Sequence, residues 1–201
     1  ELLGGVRLTA VRYPGRAAPH VIAGASIGNF YAFDAAQPRA AQKRTLFGPD
    51  ALSLRHPTIG NAPVAYPNSD GQPTDLIVGG EGALYYYAFA GSLNAEGHPL
   101  YRAAQPVLQE EATLYAGSLA VPCVADWDGD GQHDVIVGNS EGRVLTFKNC
   151  GTERAPRFGL GEPVCAGGEP IHAQPGYYGM QGPFENRWGY ACPAVEDWNG
   201  D

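Results

Sequence analysis

The feature that most constrains this chain is an internal repeat, a short apolar run closed by glycine. The run occurs three times at nearly even intervals, as His20–Gly24, Asp75–Gly79 and Asp134–Gly138. Apolar residues at successive rather than alternate positions indicate a strand that is buried on both faces. Recurrence at such an interval indicates an architecture that places copies of one unit side by side.

Each run is followed by a second glycine and then by a segment that ends in aromatic residues. The second glycines, typical of tight hairpin turns, are Gly28, Gly82 and Gly142. The aromatic segments, which we predict to be second strands, are 30–33, 84–87 and 144–147. The front of a further copy is visible as well, because 193–201 closely resembles 122–130. Pro63 precedes Pro122 by the same interval that separates Asp75 from Asp134, so two landmarks share one register.

Paired short strands at this period predict an all-β fold, specifically a β-propeller fragment of about three four-stranded blades plus the start of another. The 28 glycines and 17 prolines favour many short elements joined by turns. We predict one domain over residues 1–201, incomplete at both ends, with repeats at 1–54, 55–113 and 114–185 and a partial copy at 186–201. An open β-sandwich is the alternative architecture. A helical solenoid is excluded because no segment has a sustained helical period.

The strongest chemical signal is an acidic loop between two predicted strands. Carboxylates stand at its first, third, fifth and ninth positions, namely Asp126, Asp128, Asp130 and Asp134. Gly131 permits the tight curl that brings them together. Hard oxygen ligands suit Ca²⁺, with the main-chain carbonyl of Gln132 as a further ligand. Zinc is disfavoured because no Cys or His has ligand spacing. An EF-hand is excluded because its twelfth position, Val137, is apolar.

The segment 126–138 resembles the FG-GAP/VCBS-type repeats of bacterial extracellular proteins, which are related to the propellers of integrin α-chains. The resemblance implies calcium-containing blades and an extracellular, secreted, cell-surface or periplasmic location. It places the calcium ligands at Asp126, Asp128, Asp130 and Asp134. The partial copy would add three further ligands, Asp197, Asn199 and Asp201.

The other two copies depart from this pattern. In the second copy the first three carboxylate positions are occupied by Pro67, Ser69 and Gly71, and only Asp75 persists. In the first copy His20 replaces the last aspartate. We therefore predict that neither copy binds a metal ion strongly.

The third repeat interval is longer than the second, since Pro193 lies further from Pro122 than Pro122 does from Pro63. We expect the function to depend on the extra length, which falls largely between Cys165 and Cys192. Aromatic rings and a guanidinium in that segment suit a glycan or protein partner, although Trp188 and Tyr190 also fit a core between blades. We predict a binding or adhesion module. The residues concerned are His172, Tyr177, Tyr178, Phe184, Arg187, Trp188 and Tyr190.

The alternative is a lyase that acts on a uronate-containing polysaccharide, as in polysaccharide lyases built on calcium-containing propellers. Its reaction needs a group that neutralises the carboxylate, a base and an acid. The catalytic candidates are His172, Tyr177 and Arg187, with His56 and Tyr190 as substitutes for the histidine and the tyrosine.

Charge and composition exclude several other classes. A net charge of −8 with 13 Lys and Arg argues against a nucleic-acid partner. No apolar run is long enough for direct membrane insertion. Neither a serine-hydrolase elbow nor a Walker-type loop occurs. The four cysteines, Cys123, Cys150, Cys165 and Cys192, fit either buried small side chains or, for Cys150 and Cys165, a disulfide.

Overall fold

The computed structural model describes residues 7–25, 27–36, 44–110, 112–153, 155–173 and 189–199. All regular structure in these ranges is β-strand, which confirms the predicted all-β class. The first sheet contains β1 (Arg7–Val11), β2 (His20–Gly24), β3 (Phe30–Asp34) and β4 (Arg44–Thr45), paired in that order. Within the described ranges no helix is long and apolar enough to span a membrane.

The second and third sheets repeat this plan. The second pairs β5 (Ala62–Tyr66), β6 (Asp75–Gly79), β7 (Tyr85–Tyr87) and β10 (Gln105–Pro106). A hairpin of β8 (Phe89–Leu93) and β9 (Pro99–Tyr101) is inserted before its last strand. The third pairs β13 (Val121–Ala125), β14 (Asp134–Gly138), β15 (Val144–Phe147) and β16 (Glu162–Pro163).

A small hairpin follows the last strand of the second sheet, and another follows that of the third. They are β11 (Leu108–Gln109) with β12 (Ala112–Thr113), and β17 (Cys165–Ala166) with β18 (Glu169–Pro170). Each of the three four-stranded sheets lies within one of the predicted repeats, and all strand pairs are antiparallel.

The first two strands of each sheet pair in the same register. The first residue of the first strand faces the closing glycine of the second strand in every sheet, as in Ala62 with Gly79 and Val121 with Gly138. All five residues of β6 and of β14 are buried. This burial is the physical reason why their sequences are apolar at successive positions.

The core lies between consecutive sheets. One cluster joins the first sheet to one face of the second, through Ile22 and Phe30 against Leu76 and Val78. Ile77 points to the other face of the second sheet and belongs to a cluster with the third sheet. Because side chains alternate along a strand, the middle sheet is covered on both faces. A sandwich has two packed sheets, whereas three are packed in series here.

A glycine at the end of each second strand allows the next repeat to approach closely. A Cβ atom added at Gly24 would lie 2.6 Å from Pro63 Cδ, and one at Gly79 would lie 2.7 Å from Pro122 Cδ. One at Gly138 would lie 2.6 Å from the Cδ of Pro193. The same contact therefore occurs three times, so each repeat meets its successor in the same way. The described residues do not form a closed barrel or propeller.

Candidate metal site and the predicted catalytic residues

The acidic loop connects β13 to β14 and is held in a tight curl by its own carboxylates. Asp126 Oδ2 accepts a hydrogen bond from the main-chain N–H of Gly131 at 2.9 Å, and Asp130 Oδ1 accepts one from Gln132 at 2.9 Å. Gly129 and Gly131 have φ angles of 75° and 87°. These lie in the left-handed region, where glycine carries no steric cost, as the sequence predicts for Gly131.

The curl brings three of the predicted ligands together. Asp126, Asp128 and Asp130 are exposed, and each offers a carboxylate oxygen within 4.8 Å of the others. Calcium binds oxygen at about 2.3–2.6 Å, so oxygens on opposite sides of one ion are about 5 Å apart. The three carboxylates therefore have the spacing and the chemistry of a site for a hard divalent cation.

A lysine ammonium group lies on the same carboxylates. Lys148 follows β15, and its Nζ contacts Asp128 Oδ2 and lies 3.3 Å from Asp130 Oδ2. The hydrogen bond from Lys148 lowers the pKa of the Asp128 carboxyl, and the two carboxylates raise the pKa of the lysine. A metal ion at this site would displace the ammonium group, which is exposed and free to move into solvent.

The fourth predicted carboxylate, Asp134, lies outside this group of three. It is buried at the start of β14, where it accepts hydrogen bonds from the main-chain N–H groups of Trp127 at 3.0 Å and Asn149 at 2.7 Å. These bonds join the loop to the end of the neighbouring strand. Direct ligation by Asp134 or by the carbonyl of Gln132 stays a prediction.

The corresponding loop in the second repeat closes without a carboxylate cluster. Asn68 Oδ1 accepts main-chain hydrogen bonds from Asp70 at 2.8 Å and Gln72 at 2.9 Å. Asp75 is buried, and its carboxylate accepts bonds from the Tyr86 hydroxyl and from the Phe89 N–H. Like Asp134, Asp75 thus holds the segment that follows the third strand of its sheet.

In the first repeat the equivalent position is His20. Its side chain is buried at the start of β2, and its ring meets the Tyr13 ring edge-on at a centroid distance of 5.2 Å. Among the described residues, Asp126, Asp128 and Asp130 are the one group of three potential metal ligands.

The partial fourth copy is described as far as Asn199, and its last predicted ligand, Asp201, lies outside the described residues. Asp197 and Asn199 are exposed, and the Asp197 carboxylate is not one of the group formed by Asp126, Asp128 and Asp130. The tryptophan between them, Trp198, is 92% exposed. Its counterpart in the complete loop, Trp127, is 46% exposed and lies directly between two of the clustered aspartates.

Sequence reasoning did not assign these tryptophans a role. The signal available was the recurrence of Asp-Trp at both acidic loops, at 126–127 and 197–198. A large exposed ring at the same place in two copies is not required by the core, so it is available to a ligand.

The predicted catalytic residues separate into two groups. His172 is exposed and bridges to Arg143 through the main chain, at the place where Arg55 bridges to Asn29 in the first repeat and Tyr115 to Ala83 in the second. His172 is therefore at a position that all three repeats possess. The other two candidates, Tyr177 and Arg187, lie outside the described residues, as do Tyr178, Phe184 and Trp188.

This correspondence places the extra length of the third repeat between 173 and 189. Only 116–119 separate Tyr115 from Ala120, whereas 173–190 separate His172 from the equivalent Ala191. The β17–β18 hairpin is not part of the extra length, because it has a counterpart in β11–β12.

The two substitute candidates have opposite environments. His56 is 5% exposed, lies among the rings of Phe30, Tyr85 and Tyr87, and its Nδ1 is 3.0 Å from the Tyr87 hydroxyl. Burial lowers the pKa of His56 to about 4, so the ring is neutral at pH 7. A polymer has no access to a side chain buried in this way. Tyr190, by contrast, is 43% exposed.

Three of the four cysteines differ from both predicted alternatives, and Cys123 is half-buried. All four are free thiols, and Cys150, Cys165 and Cys192 are exposed rather than buried. The predicted Cys150–Cys165 disulfide is wrong for this structure, because each thiol points to the carbonyl oxygen two positions earlier in the chain. Cys150 Sγ lies 3.7 Å from Lys148 O, and Cys165 Sγ lies 3.7 Å from Pro163 O.

Comparisons with known proteins leave the chain without an assigned family. No protein-family model matches the sequence, no curated protein matches it, and no solved structure matches the chain.

Proposed function

We propose that the chain is part of a calcium-stabilised propeller of FG-GAP/VCBS type that acts outside the cytoplasm as a binding module for a glycan or an extracellular protein. The propeller arrangement is supported by the identical strand registers and by the threefold recurrence of the glycine contact to the next repeat. Repetition of one contact between successive sheets is the geometric requirement for arranging blades around an axis.

Calcium is supported by the three exposed carboxylates and by the cation that already lies on two of them, the Lys148 ammonium group. In this proposal Ca²⁺ takes the place of the ammonium group and fixes the turn between β13 and β14. The ion stabilises the folded chain by linkage, since the curled loop is not present in the unfolded chain.

The observation that carries the binding role is the exposure of Trp127 between two clustered aspartates. Indole rings present a flat apolar face together with a polar N–H, and such rings stack on the apolar faces of sugars. The backbone that carries the ring is held as well, because the Trp127 main-chain N–H donates to Asp134 at the start of β14. In this proposal calcium restricts the ring because it fixes the loop on both sides of Trp127.

The test is retention of the purified protein on a glycan array and on immobilised extracellular-matrix protein, with and without calcium. Trp127→Ala should weaken retention about fivefold or more, since stacking is worth about 1–3 kcal/mol in comparable ring contacts. Tyr115→Ala is the matched control, because Tyr115 is 59% exposed and lies near Glu141, beyond the end of β14 opposite to the acidic loop.

Equal retention of Trp127→Ala and the parent protein would contradict the binding site. The same samples, incubated with uronate polymers, test the lyase alternative. An ultraviolet-absorbing unsaturated product would show that the module is catalytic and would contradict a purely binding role.

A further inference from the structure

A cavity of about 310 Å³ lies where the beginnings of the first strands of different repeats meet. Arg7 begins β1 and Val121 begins β13, each facing the closing glycine of its sheet. Cys192 directly precedes Pro193 as Val121 directly precedes Pro122, and it is thus the equivalent residue of the fourth copy. All three line the cavity. Equivalent positions of different copies therefore form the cavity, at the end of the sheets where their first strands begin.

Two of the side chains in its wall are held in an unfavourable backbone conformation. Leu119 has a φ angle of 51° and Tyr190 one of 46°, and both line the cavity. The residue at the same place in the second repeat is Gly60, whose φ angle is 71°. Glycine adopts this conformation freely, whereas it costs a bulky residue about 1–3 kcal/mol. The chain thus carries strain in order to present a leucine and a tyrosine side chain to the cavity.

The cavity also holds a cationic group that pairs with no carboxylate in the described part of the chain. Arg7 is half-buried, and its guanidinium donates to Cys192 Sγ at 2.7 Å. Among the described residues, no carboxylate lies within ion-pair distance of Arg7. In a protein with a net charge of −8, a guanidinium group that no described carboxylate neutralises, beside apolar walls, is complementary to an anion.

We propose that this cavity binds a small organic monocarboxylate. The carboxylate pairs with the Arg7 guanidinium, and the apolar body of the ligand lies against Leu119, Val121 and Tyr190. The volume is at the lower end of the range for small-molecule pockets, which favours a compact ligand of a single ring. A guanidinium fork binds the two oxygens of one carboxylate, so the charge and the planar shape are both recognised.

This site is independent of the proposed calcium site. Val121 begins β13, and the acidic loop starts after its last residue, Ala125. The length of this strand separates the two sites by roughly 16 Å. Failure of one proposal therefore leaves the other standing.

The experiment uses benzoate as the probe and benzamide as its uncharged analogue, with binding measured by saturation-transfer NMR and calorimetry on the purified protein. Benzoate should bind, and benzamide should bind at least about tenfold more weakly. Arg7→Gln should remove the preference for benzoate. Arg12→Gln is the matched control, since Arg12 is an exposed arginine directly after the same strand and does not line the cavity.

Leu119→Gly provides a second variant that does not endanger folding, because glycine relieves the backbone strain at this position. We expect higher thermal stability together with weaker benzoate binding. No benzoate binding by the parent protein, equal binding of benzamide, or unchanged binding in Arg7→Gln would each overturn the proposal.

Discussion

Gly79→Ala tests whether successive repeats depend on close backbone contact. The new methyl group would overlap the carbonyl oxygen of Ala120 and would lie 2.7 Å from Pro122 Cδ. Neither group is the end of a flexible side chain, so relief requires the two sheets to separate. Overpacking of this kind costs about 1–3 kcal/mol, and we expect the upper end because the obstacle is main chain.

Part of this cost is offset because alanine restricts the unfolded chain by about 0.4–1 kcal/mol more than glycine does. The net loss is therefore about 2 kcal/mol, or roughly 4–8 °C in melting temperature for a chain of this length. Thermal unfolding followed by circular dichroism measures it directly.

Gly159→Ala is the matched control, because the nearest atom to its added Cβ would be Cys150 Sγ at 3.6 Å, an ordinary contact. Its melting temperature should change by less than about 2 °C. If Gly79→Ala and Gly159→Ala unfold at the same temperature, the close contact between repeats does not stabilise the fold and the reasoning fails.

Three further predictions concern single side chains. Burial lowers the pKa of His56 to about 4, so the neutral ring contributes stability that is complete above pH 6.5 and is lost as the pH falls towards 4. In urea unfolding at pH 7 and pH 4, His56→Gln should reduce the difference in the free energy of unfolding by about 3 kcal/mol. An unchanged difference would contradict the assignment. Asp134→Ala leaves two N–H groups without their acceptor and should lower the free energy of unfolding by about 3 kcal/mol in the same assay. A decrease below about 1 kcal/mol would show that the loop is held by other contacts. Lys148→Met removes the competing ammonium group and should tighten calcium binding, whereas weaker binding in calorimetry would show that the lysine supports the site.

The sequence predicts most of the repeating framework because burial on both faces requires a pattern that is readable along the chain. The runs at 20–24, 75–79 and 134–138 are strands with these bounds. The glycines that close them are also explained, since each faces the main chain of the next repeat. The β8–β9 hairpin is not predictable from the repeat pattern, because it interrupts the second repeat and has no counterpart in the other described sheets.

The site is predictable only as far as local spacing determines it. Three carboxylates at alternate positions curl together through hydrogen bonds that are formed within the loop. Lys148 is distant from Asp128 along the chain, and only the return of β15 brings its ammonium group to the loop. The positive φ angles of Leu119 and Tyr190 are likewise not predictable from the sequence, because bulky residues rarely adopt that conformation.

The most direct test of the account is a calorimetric titration of calcium into the purified protein, compared with Asp128→Ala and Asp70→Ala. We expect one ion per chain in the parent protein, and at one hundred times the dissociation constant a stabilisation of about 2.7 kcal/mol. Asp128→Ala should abolish binding, because only two of the three clustered carboxylates would remain. Asp70→Ala, in the loop without a cluster, should bind as the parent does. Absence of binding in the parent, or the same heat of binding in Asp128→Ala, would contradict the calcium site.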